Sequence, residues 1–302
     1  MKRVLVLMST YNGESYIEEQ LSSVVAQKGV EVSILVRDDG SKDSTLHILD
    51  RWQSAGALSW YNGRNLGSAG SFMDLVYSAP DADFYAFCDQ DDVWFSDKLQ
   101  RAVTAIDNCG EADDVPVLYF SAQLLTDEKL QVTGRNIPKR LFTFGESLLR
   151  NPAAGCTMVF NKKMRDLVAR EKPSTVYMHD MWVYMLCKAV GGVVLFDSTP
   201  SMYYRQHGDN VVGYSPKLLP TIKRRAIAFF CEKGQVRKRA CEELLRCYSR
   251  DIPTSNKKLL ETVVAYQSSF YAKLKAAFLP ELTSVEWWTR IAVVMSFFAN
   301  RY

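Results

Sequence analysis

The chain has 302 residues, of which 47% are hydrophobic and 24% are charged, and its formal net charge at pH 7 is +3. This composition excludes a disordered chain and allows one large domain, or one domain with an appendage. The charge is uneven: residues 216–302 carry 16 Lys and Arg against 7 Asp and Glu, a net charge of +9 that leaves −6 for residues 1–215. A basic end on an acidic body suggests an anionic partner, either membrane lipid or nucleic acid.

The seven cysteines form no Cys-x-x-Cys pair, which argues against a zinc site, and their odd number favours reduced thiols in a cytosolic protein. The N-terminus has a basic start, but its apolar run at residues 4–8 is too short for the core of a signal peptide and leads into turn residues. We therefore interpret this run as the first β-strand.

Up to residue 88 the chain alternates apolar runs with amphipathic segments. The patterns predict strands at residues 3–8, 32–36, 58–61 and 84–88, and helices at about 15–27, 43–55 (capped by Ser41 or Asp43) and 68–78. This βαβαβαβ order predicts an α/β fold with a mostly parallel central sheet and helices on both faces. A ligand crevice is expected at the carboxyl ends of the strands.

Polar residues follow each of these four strands, at 9–14 (STYNGE), 37–41 (RDDGS), 62–67 (NGRNLG) and 89–92 (DQDD). Each segment alone is also an ordinary turn, but together they bring carboxylates, an arginine and amides to one rim. Three carboxylates in the last segment repel one another unless a cation compensates them, and Mg²⁺ and Mn²⁺ prefer such oxygen ligands. The segment is either an Asp-x-Asp metal site or a solvated turn before a helix near residue 96. Neither a Gly-x-Gly-x-x-Gly loop nor a Walker A motif is present.

Four segments in this order and spacing, STYNGESYIEEQLSSVVAQ, DDGSKDST, RNLGSAGSF and CDQDDVWFSDKL, resemble the inverting family 2 glycosyltransferases with the GT-A fold, over about residues 3–210. The later segments NPAAGCTMVFN, HDMWVYMLC and YRQHGDNVVG resemble the bacterial rhamnosyltransferase-like branch of that family. The resemblance implies metal-dependent transfer of a sugar, with L-rhamnose as a candidate, from a UDP- or dTDP-sugar. The acceptor would be a hydroxyl of a glycan or lipid-linked saccharide in bacterial surface polysaccharide synthesis. Residues 1–215 would form the GT-A catalytic domain, and 216–302 a basic amphipathic helical region.

The resemblance also implies that the rim binds the donor and a divalent metal, Mn²⁺ or Mg²⁺. The donor-binding residues would be Thr10, Tyr11, Glu14, Asp39, Arg64, Asn65, Asp89, Gln90 and Arg205. The metal would bind Asp91 as its main ligand, with Asp89 and His207, and would offset the charge that builds on the leaving diphosphate. A histidine packed in a loop is the alternative for His207, which follows a strand predicted at 199–204.

The second half of the chain is expected to bind the acceptor. A strand at 117–122 and a loop at 127–144 precede an apolar strand at 153–160, where Gly155 and Cys156 either let a sugar approach or simply pack. Cys156 is not expected to be a nucleophile, because inverting transfer needs no covalent intermediate. Asp180, before a helix at 181–189, would be the catalytic base, with His179 supporting it near the acceptor; a helix cap is the alternative for Asp180.

Helices are predicted in the C-terminal region at 218–231, 235–248, 257–278 and, after a break at Pro280, 285–302. Basic clusters and the aromatic residues Trp287, Trp288, Phe297 and Phe298 are compatible with binding to an anionic membrane surface, which would make the protein cytoplasmic and peripheral at the inner face of the cell membrane. A helical cap docked on the catalytic core and a homodimer contact are the alternatives.

The sequence has two alternative functional interpretations. A nucleotidyltransferase should carry a cationic, Gly-rich loop after the first strand, and residues 9–14 contain no cation. An RNA-binding protein would use the basic C-terminal region, but no RNA-binding motif is present and the acidic rim opposes it, so no nucleic acid partner is expected.

Overall fold

The computed structural model describes residues 1–110, 115–208, 235–283 and 287–302. The described strands are β1 (Arg3–Thr10), β2 (Glu31–Asp38), β3 (Ser59–Asn62), β4 (Phe84–Cys88), β5 (Val93–Trp94), β6 (Val117–Thr126), β7 (Val132–Asn136), β8 (Val159–Asn161) and β9 (Val193–Arg205). The described helices are α1 (Ile17–Val25), α2 (Thr45–Ser54), α3 (Gly67–Ser78), α4 (Lys98–Asp107), α5 (Phe144–Ser147), α6 (Lys162–Arg170), α7 (His179–Ala189), α8 (Val236–Tyr248), α9 (Thr254–Val264), α10 (Phe270–Ala277), α11 (Pro280–Thr283) and α12 (Trp287–Phe298).

The strands form one mixed sheet in the order β3-β2-β1-β4-β8-β6-β9-β5, with β7 paired to β6. Strands β1 to β4 are mutually parallel, so their carboxyl ends meet at one edge. Side chains of β1 alternate between the two faces, where Leu5 and Leu7 join the core under α3, α6 and α7, while Val4 and Val6 join the core under α1, α2 and α4. The predicted α/β fold with a mostly parallel sheet and helices on both faces is confirmed.

The acceptor half of the sheet differs in detail from the prediction. Of the strand expected at 153–160, only β8 is extended, because Gly155–Thr157 forms a turn of 3₁₀ helix in which the carbonyl of Ala154 accepts bonds from Thr157. The loop expected at 127–144 contains β7, an edge strand whose polar, largely exposed sequence lacks the alternation that marks a half-buried strand. Strand β9 starts at Val193 rather than 199, and its register shifts near Pro200.

The C-terminal helices dock on the catalytic body. Tyr248 of α8, Leu260 of α9 and Phe297 of α12 share one hydrophobic core with Trp182 of α7. The helix predicted at 257–278 is two helices, α9 and α10, because the Ser269 side chain caps a new helix start. Pro280 begins α11 rather than ending a helix, since a proline at the first helical position loses no hydrogen bond.

Two predictions on this region fall on residues that are not described: the helix at 218–231 and the domain boundary between 215 and 216. Among the helices that are described, none combines the length and the apolar character needed to cross a membrane.

Candidate active site

The rim loops are held together by side chains that were expected to bind the donor. Gln90, after β4, accepts hydrogen bonds from Thr10 Oγ1 (2.6 Å) and from the backbone N–H of Tyr11 (2.8 Å), and donates to the Tyr11 carbonyl (3.1 Å). Glu14 accepts a bond from the backbone N–H of Ser44 (2.8 Å), just before α2. Thr10, Gln90 and Glu14 therefore fix the loop after β1, while the ring of Tyr11 is 45% exposed above it.

A buried arginine, Arg37, organises the next two loops. Its guanidinium bonds to the carboxylates of Asp39 and Asp74 and, at 3.0 Å, to the carbonyl of Arg64. Asp39 in turn accepts the backbone N–H of Leu66 (2.8 Å) and of Gly67 (2.9 Å), so its carboxylate caps the start of α3. Asp39 is 3% exposed, and its evident role is to hold the loop of residues 63–67 in place.

That loop presents Arg64 and Asn65, whose side chains are both exposed. Neither a structural role nor a buried position was predicted for Arg37. The sequence did indicate that Arg37 is buried, because this residue follows Val36 at the buried end of a strand.

Four carboxylates gather where β4 meets α7: Asp89, Asp91, Asp92 and Asp180. Burial, together with the charges of the neighbouring Asp91 and Asp180 carboxylates, raises the pKa of Asp89 to about 7. Burial and the charges of Asp91 and Asp89 also raise the pKa of Asp92, which is fully buried. One of its oxygens accepts the N–H of Arg205 (3.2 Å), and the other has no partner within the part of the chain that is described. This concentration of acid groups favours a bound cation.

The predicted metal ligands Asp91 and His207 lie side by side, with Asp91 Oδ2 and His207 Nε2 2.7 Å apart. Their side chains are 13% and 7% exposed, and the imidazole lies 4.9 Å from the ring of Tyr16. The Asp91 carboxylate and the His207 imidazole are donors that suit Mn²⁺, and Asp89 lies near enough to Asp91 for the two charges to interact. The residues present therefore fit the divalent metal that the sequence predicts.

A second group of potential ligand atoms, from Asp89, Asp92 and Cys156, lies within 4.8 Å. It is a poor metal site for two reasons. Burial raises the pKa of Cys156, so the group stays a thiol, whereas metals bind thiolates. Asp92 and Cys156 are also 0% and 1% exposed, so a metal held there would have no access to a substrate. Because Cys156 is buried, the predicted contact between this residue and the acceptor is not supported either.

Arg205 does not lie where a contact with the diphosphate was predicted. The residue is 3% exposed, and its guanidinium donates to the carbonyls of Asp91 (2.8 Å) and Glu128 and to the carboxylate of Glu19. These bonds make Arg205 a positioning residue for the segment that carries Asp91. Its charge is thus committed to the protein's own groups.

Lys98, a residue that the sequence analysis missed, lies beneath the carboxylates with no exposed surface. Its ammonium donates to the Cys156 carbonyl (2.6 Å) and stands 4.2 Å from the centre of the Trp94 ring. Burial lowers its pKa to about 8, while neighbouring groups that include Asp92 and Asp89 oppose that shift. The protonated side chain therefore supplies internal positive charge to the acidic cluster. The sequence indicated the burial of Lys98 through the helical spacing of residues 98, 102 and 106, which lie on one buried face of α4.

Gly155 and His179, two of the predicted acceptor residues, lie beside the predicted base Asp180, but His179 is not in an open cleft. A Cβ on Gly155 would stand 2.4 Å from His179 Nε2. The imidazole is 4% exposed, stacks on Phe72 at 4.0 Å, and finds no hydrogen-bond partner among the described residues. Burial lowers its pKa to about 3, so the ring is neutral. The buried position of His179 therefore does not agree with a direct contact between this residue and the acceptor.

Asp180 lies in the first turn of α7, which begins two residues earlier than predicted, and Met178 occupies the cap position. Burial raises the pKa of Asp180 to about 6, against hydrogen bonds from groups that include the N–H of Met181. A carboxylate with such a pKa is largely ionised at neutral pH and is still able to accept a proton.

A groove of about 620 Å³ opens between the start of α3 and residues 172–178, directly before α7. Tyr77, Lys172 and Tyr177 line it, and the ring of Tyr177 is 56% exposed. The groove thus connects the rim loop that follows β3 with the segment that leads into Asp180.

Comparison with known proteins agrees with this geometry. The family model "Glycosyl transferase family 2" matches residues 5–167. The dTDP-rhamnosyl transferase RfbG of Shigella flexneri is 30% identical over 237 residues, which cover 72% of this chain and 77% of RfbG.

The Escherichia coli glucosyltransferase WfgD, which acts on GlcNAc-diphosphoundecaprenol, is 25% identical over 156 residues, 52% of this chain and 58% of WfgD. The crystal structure of Staphylococcus aureus TarS 1–349 with UDP-GlcNAc has a TM-score of 0.54 at 16% identity, covering 100% of this chain and 93% of that one. The TarS likeness supports the GT-A fold alone. On the extent of these matches, the chain belongs to glycosyltransferase family 2.

Proposed function

We propose that this glycosyltransferase moves a sugar, with inversion, from a dTDP- or UDP-sugar to a hydroxyl of a glycan or lipid-linked saccharide. The observation that carries the proposal is the proximity of the Asp180 carboxyl, whose pKa is raised, to the Asp89–Asp91–His207 group at the carboxyl end of the parallel strands. RfbG supports L-rhamnose on dTDP as the donor, and WfgD supports a lipid-linked acceptor in surface polysaccharide synthesis.

Asp91, Asp89 and His207 would hold a divalent ion, Mn²⁺ or Mg²⁺. When bound, the ion supplies Lewis-acid stabilisation of the charge on the departing diphosphate. The protein's own contribution is to keep these ligands close despite their repulsion. Lys98 beneath them and the bonds of Arg205 to the Asp91 segment perform that task.

The donor nucleoside would lie against the exposed ring of Tyr11, with Arg64 and Asn65 above it. Thr10, Gln90, Glu14 and Asp39 act indirectly, because their polar atoms already fix the loops that form this surface. Because Tyr11 would contact the donor and Gln90 holds the loop in place, substitutions at Tyr11 should change donor KM, whereas substitutions at Gln90 should also destabilise the fold.

Asp180 would take the proton from the acceptor hydroxyl as its oxygen attacks the anomeric carbon opposite the diphosphate. No covalent intermediate is formed, so one carboxylate suffices. The acceptor saccharide would enter along the groove at Tyr177, where an exposed aromatic ring gives a sugar an apolar surface to stack on.

The test combines a thermal-shift screen with an assay of transfer. The purified protein is screened with dTDP-rhamnose and UDP-glucose, each with and without Mn²⁺, and the preferred donor is then assayed for hydrolysis and transfer with the Asp180→Asn variant. We expect one nucleotide sugar to stabilise the protein only with Mn²⁺, and the variant to bind this donor but lose transfer. Equal transfer by the variant would refute the base assignment, and stabilisation independent of the metal would refute the metal's role.

A further inference from the structure

Exposed apolar side chains are concentrated on α12 and on the region of α10, near the C-terminus. On α12, Trp287, Ile291, Met295 and Phe298 are 55%, 48%, 49% and 41% exposed. Their spacing places them on one side of the helix, while Phe297 faces the core and is fully buried. The helix therefore has two apolar faces, and only the inner one is used by the fold.

Helix α10 and the residue after it extend this outer face. Phe270, Tyr271 and Phe278 are 69%, 77% and 51% exposed, and the ring of Phe270 lies 6.4 Å from that of Phe298. We call the combined set the C-terminal apolar surface; it comprises Phe270, Tyr271, Phe278, Trp287, Ile291, Met295 and Phe298. Seven exposed large apolar side chains on two adjacent helices mark an interaction surface rather than a solvated one.

The charges around this surface identify its partner. Residues 268–302 carry Lys273, Lys275, Arg290 and Arg301 against Glu281 and Glu286, a net charge of +2. A symmetric dimer through this surface would set these cations against their own copies, because a twofold interface brings the same patch of both subunits together. An anionic lipid surface offers complementary charge to the cations and an apolar layer to the aromatic rings.

Helix α12 is too short to cross a bilayer, so it would lie along the membrane surface. Helix α12 has 12 residues, which at about 1.5 Å per residue makes it about 18 Å long, against about 30 Å for the hydrocarbon core of a bilayer. Phe297, which the sequence analysis assigned to the membrane, is instead the buried anchor that fixes α12 to the body.

We propose that the C-terminal apolar surface docks the protein on an anionic phospholipid membrane, with the apolar side chains at the headgroup boundary and the four cations against lipid phosphates. The inference deepens the proposed function, on which it rests for the idea of a lipid-linked acceptor. Docking would place the catalytic body next to such a substrate. The surface itself is separate from the residues assigned to donor, metal and base.

The test is co-sedimentation of the full-length protein with phosphatidylcholine vesicles that contain or lack phosphatidylglycerol, without nucleotide, metal or acceptor. We expect binding only to the anionic vesicles. The double variant Ile291→Ser/Met295→Ser should lower the partition coefficient at least about tenfold. The variant Lys275→Gln/Arg290→Gln should lower it about fivefold per charge.

Matched controls come from exposed residues of the catalytic body. Val25→Ser and Val132→Ser, at positions 52% and 56% exposed, should bind like the parent, as should Lys28→Gln. All variants should keep the parental melting curve and the parental rate of donor hydrolysis. These readouts separate loss of docking from loss of fold or of the proposed function.

Two results would overturn the proposal. The first is absence of parental binding to anionic vesicles, or binding that the Ile291→Ser/Met295→Ser variant retains in full. The second is a dimer, detected by light scattering, that this variant abolishes while vesicle binding is absent or unchanged; that result would assign the surface to a second copy of the chain. Failure of docking with donor hydrolysis intact would leave the proposed function standing.

Discussion

The acidic cluster makes the effect of Mn²⁺ on stability depend on pH. The pKa of Asp89 is raised from 3.8 to about 7, mainly by burial. A carboxyl whose pKa is raised on folding contributes stability at low pH that is lost as the pH rises through the folded-state value. Without metal, protein stability should therefore decrease between about pH 4 and pH 7. At 1.36 kcal/mol for each pH unit of difference, Asp89 accounts for at most about 4 kcal/mol of this decrease.

Metal binding has the opposite dependence, because a carboxylate must lose its proton before it binds a cation. If Asp89 is a ligand, the affinity for Mn²⁺ with nucleotide should fall about tenfold for each pH unit below its pKa of about 7. Urea unfolding with and without Mn²⁺ and nucleotide, between about pH 5 and pH 8, measures both effects. We expect the metal-dependent stabilisation to be small at the acid end and to grow through neutral pH.

Two variants make this measurement specific. Asp89→Asn should remove the contribution of Asp89 to the pH dependence of the metal-free protein and leave that of Asp180, whose pKa is raised to about 6, whereas Asp50→Asn, at an exposed position on α2, should leave the whole pH dependence unchanged. A stabilisation by Mn²⁺ that is the same at pH 5 and pH 8 would refute the reasoning. So would an Asp89→Asn protein that titrates like the parent.

Three further predictions concern single residues. Asp91→Asn should abolish the metal-dependent part of nucleotide binding in calorimetry while its melting temperature without metal stays equal to or above that of the parent, since one repulsive charge is gone; unchanged metal dependence would contradict this. Lys98→Met should lower the free energy of unfolding, measured by urea titration, by about 3 kcal/mol, because the Cys156 carbonyl loses its donor and the carboxylates lose their internal cation. The control variant Lys129→Met, at an exposed position, should change this free energy little. Gly155→Ala should cost about 1–3 kcal/mol, since the new methyl group would meet the His179 ring at 2.4 Å, and a neutral result would show that this ring can move.

The sheet was predictable because its signals are local and repeated. Each of the first four strands is a short apolar run followed by turn residues and an amphipathic helix, and the right-handed crossover rule then fixes a parallel arrangement. Strand β7 could not be found in this way, because an exposed edge strand buries neither face. The split between α9 and α10 depends on the single capping side chain of Ser269, which a helical period alone does not reveal.

The location of the site was predictable from the sequence, but the roles of several of its residues were not. Strand ends identify the rim, and the pairing of Asp91 with His207 across 116 positions of the sequence agrees with the predicted metal site. The sequence could not show which polar side chains bond to the protein itself. Arg205 was expected to face the substrate but holds the Asp91 segment instead. Lys98 shares the buried face of its helix with residues 102 and 106, so its burial was predictable from the spacing, but its position beneath the carboxylates is visible only in the structure.

The central claim is that the carboxylates at the rim tolerate one another because a divalent ion joins them to the diphosphate of a sugar donor. A crystal structure of the protein with Mn²⁺ and dTDP or UDP tests this most directly. The account predicts anomalous density for manganese in contact with the side chains of Asp91 and His207 and with both phosphates. Nucleotide bound at the rim with no metal beside Asp91, or nucleotide bound elsewhere with the rim empty, would contradict it.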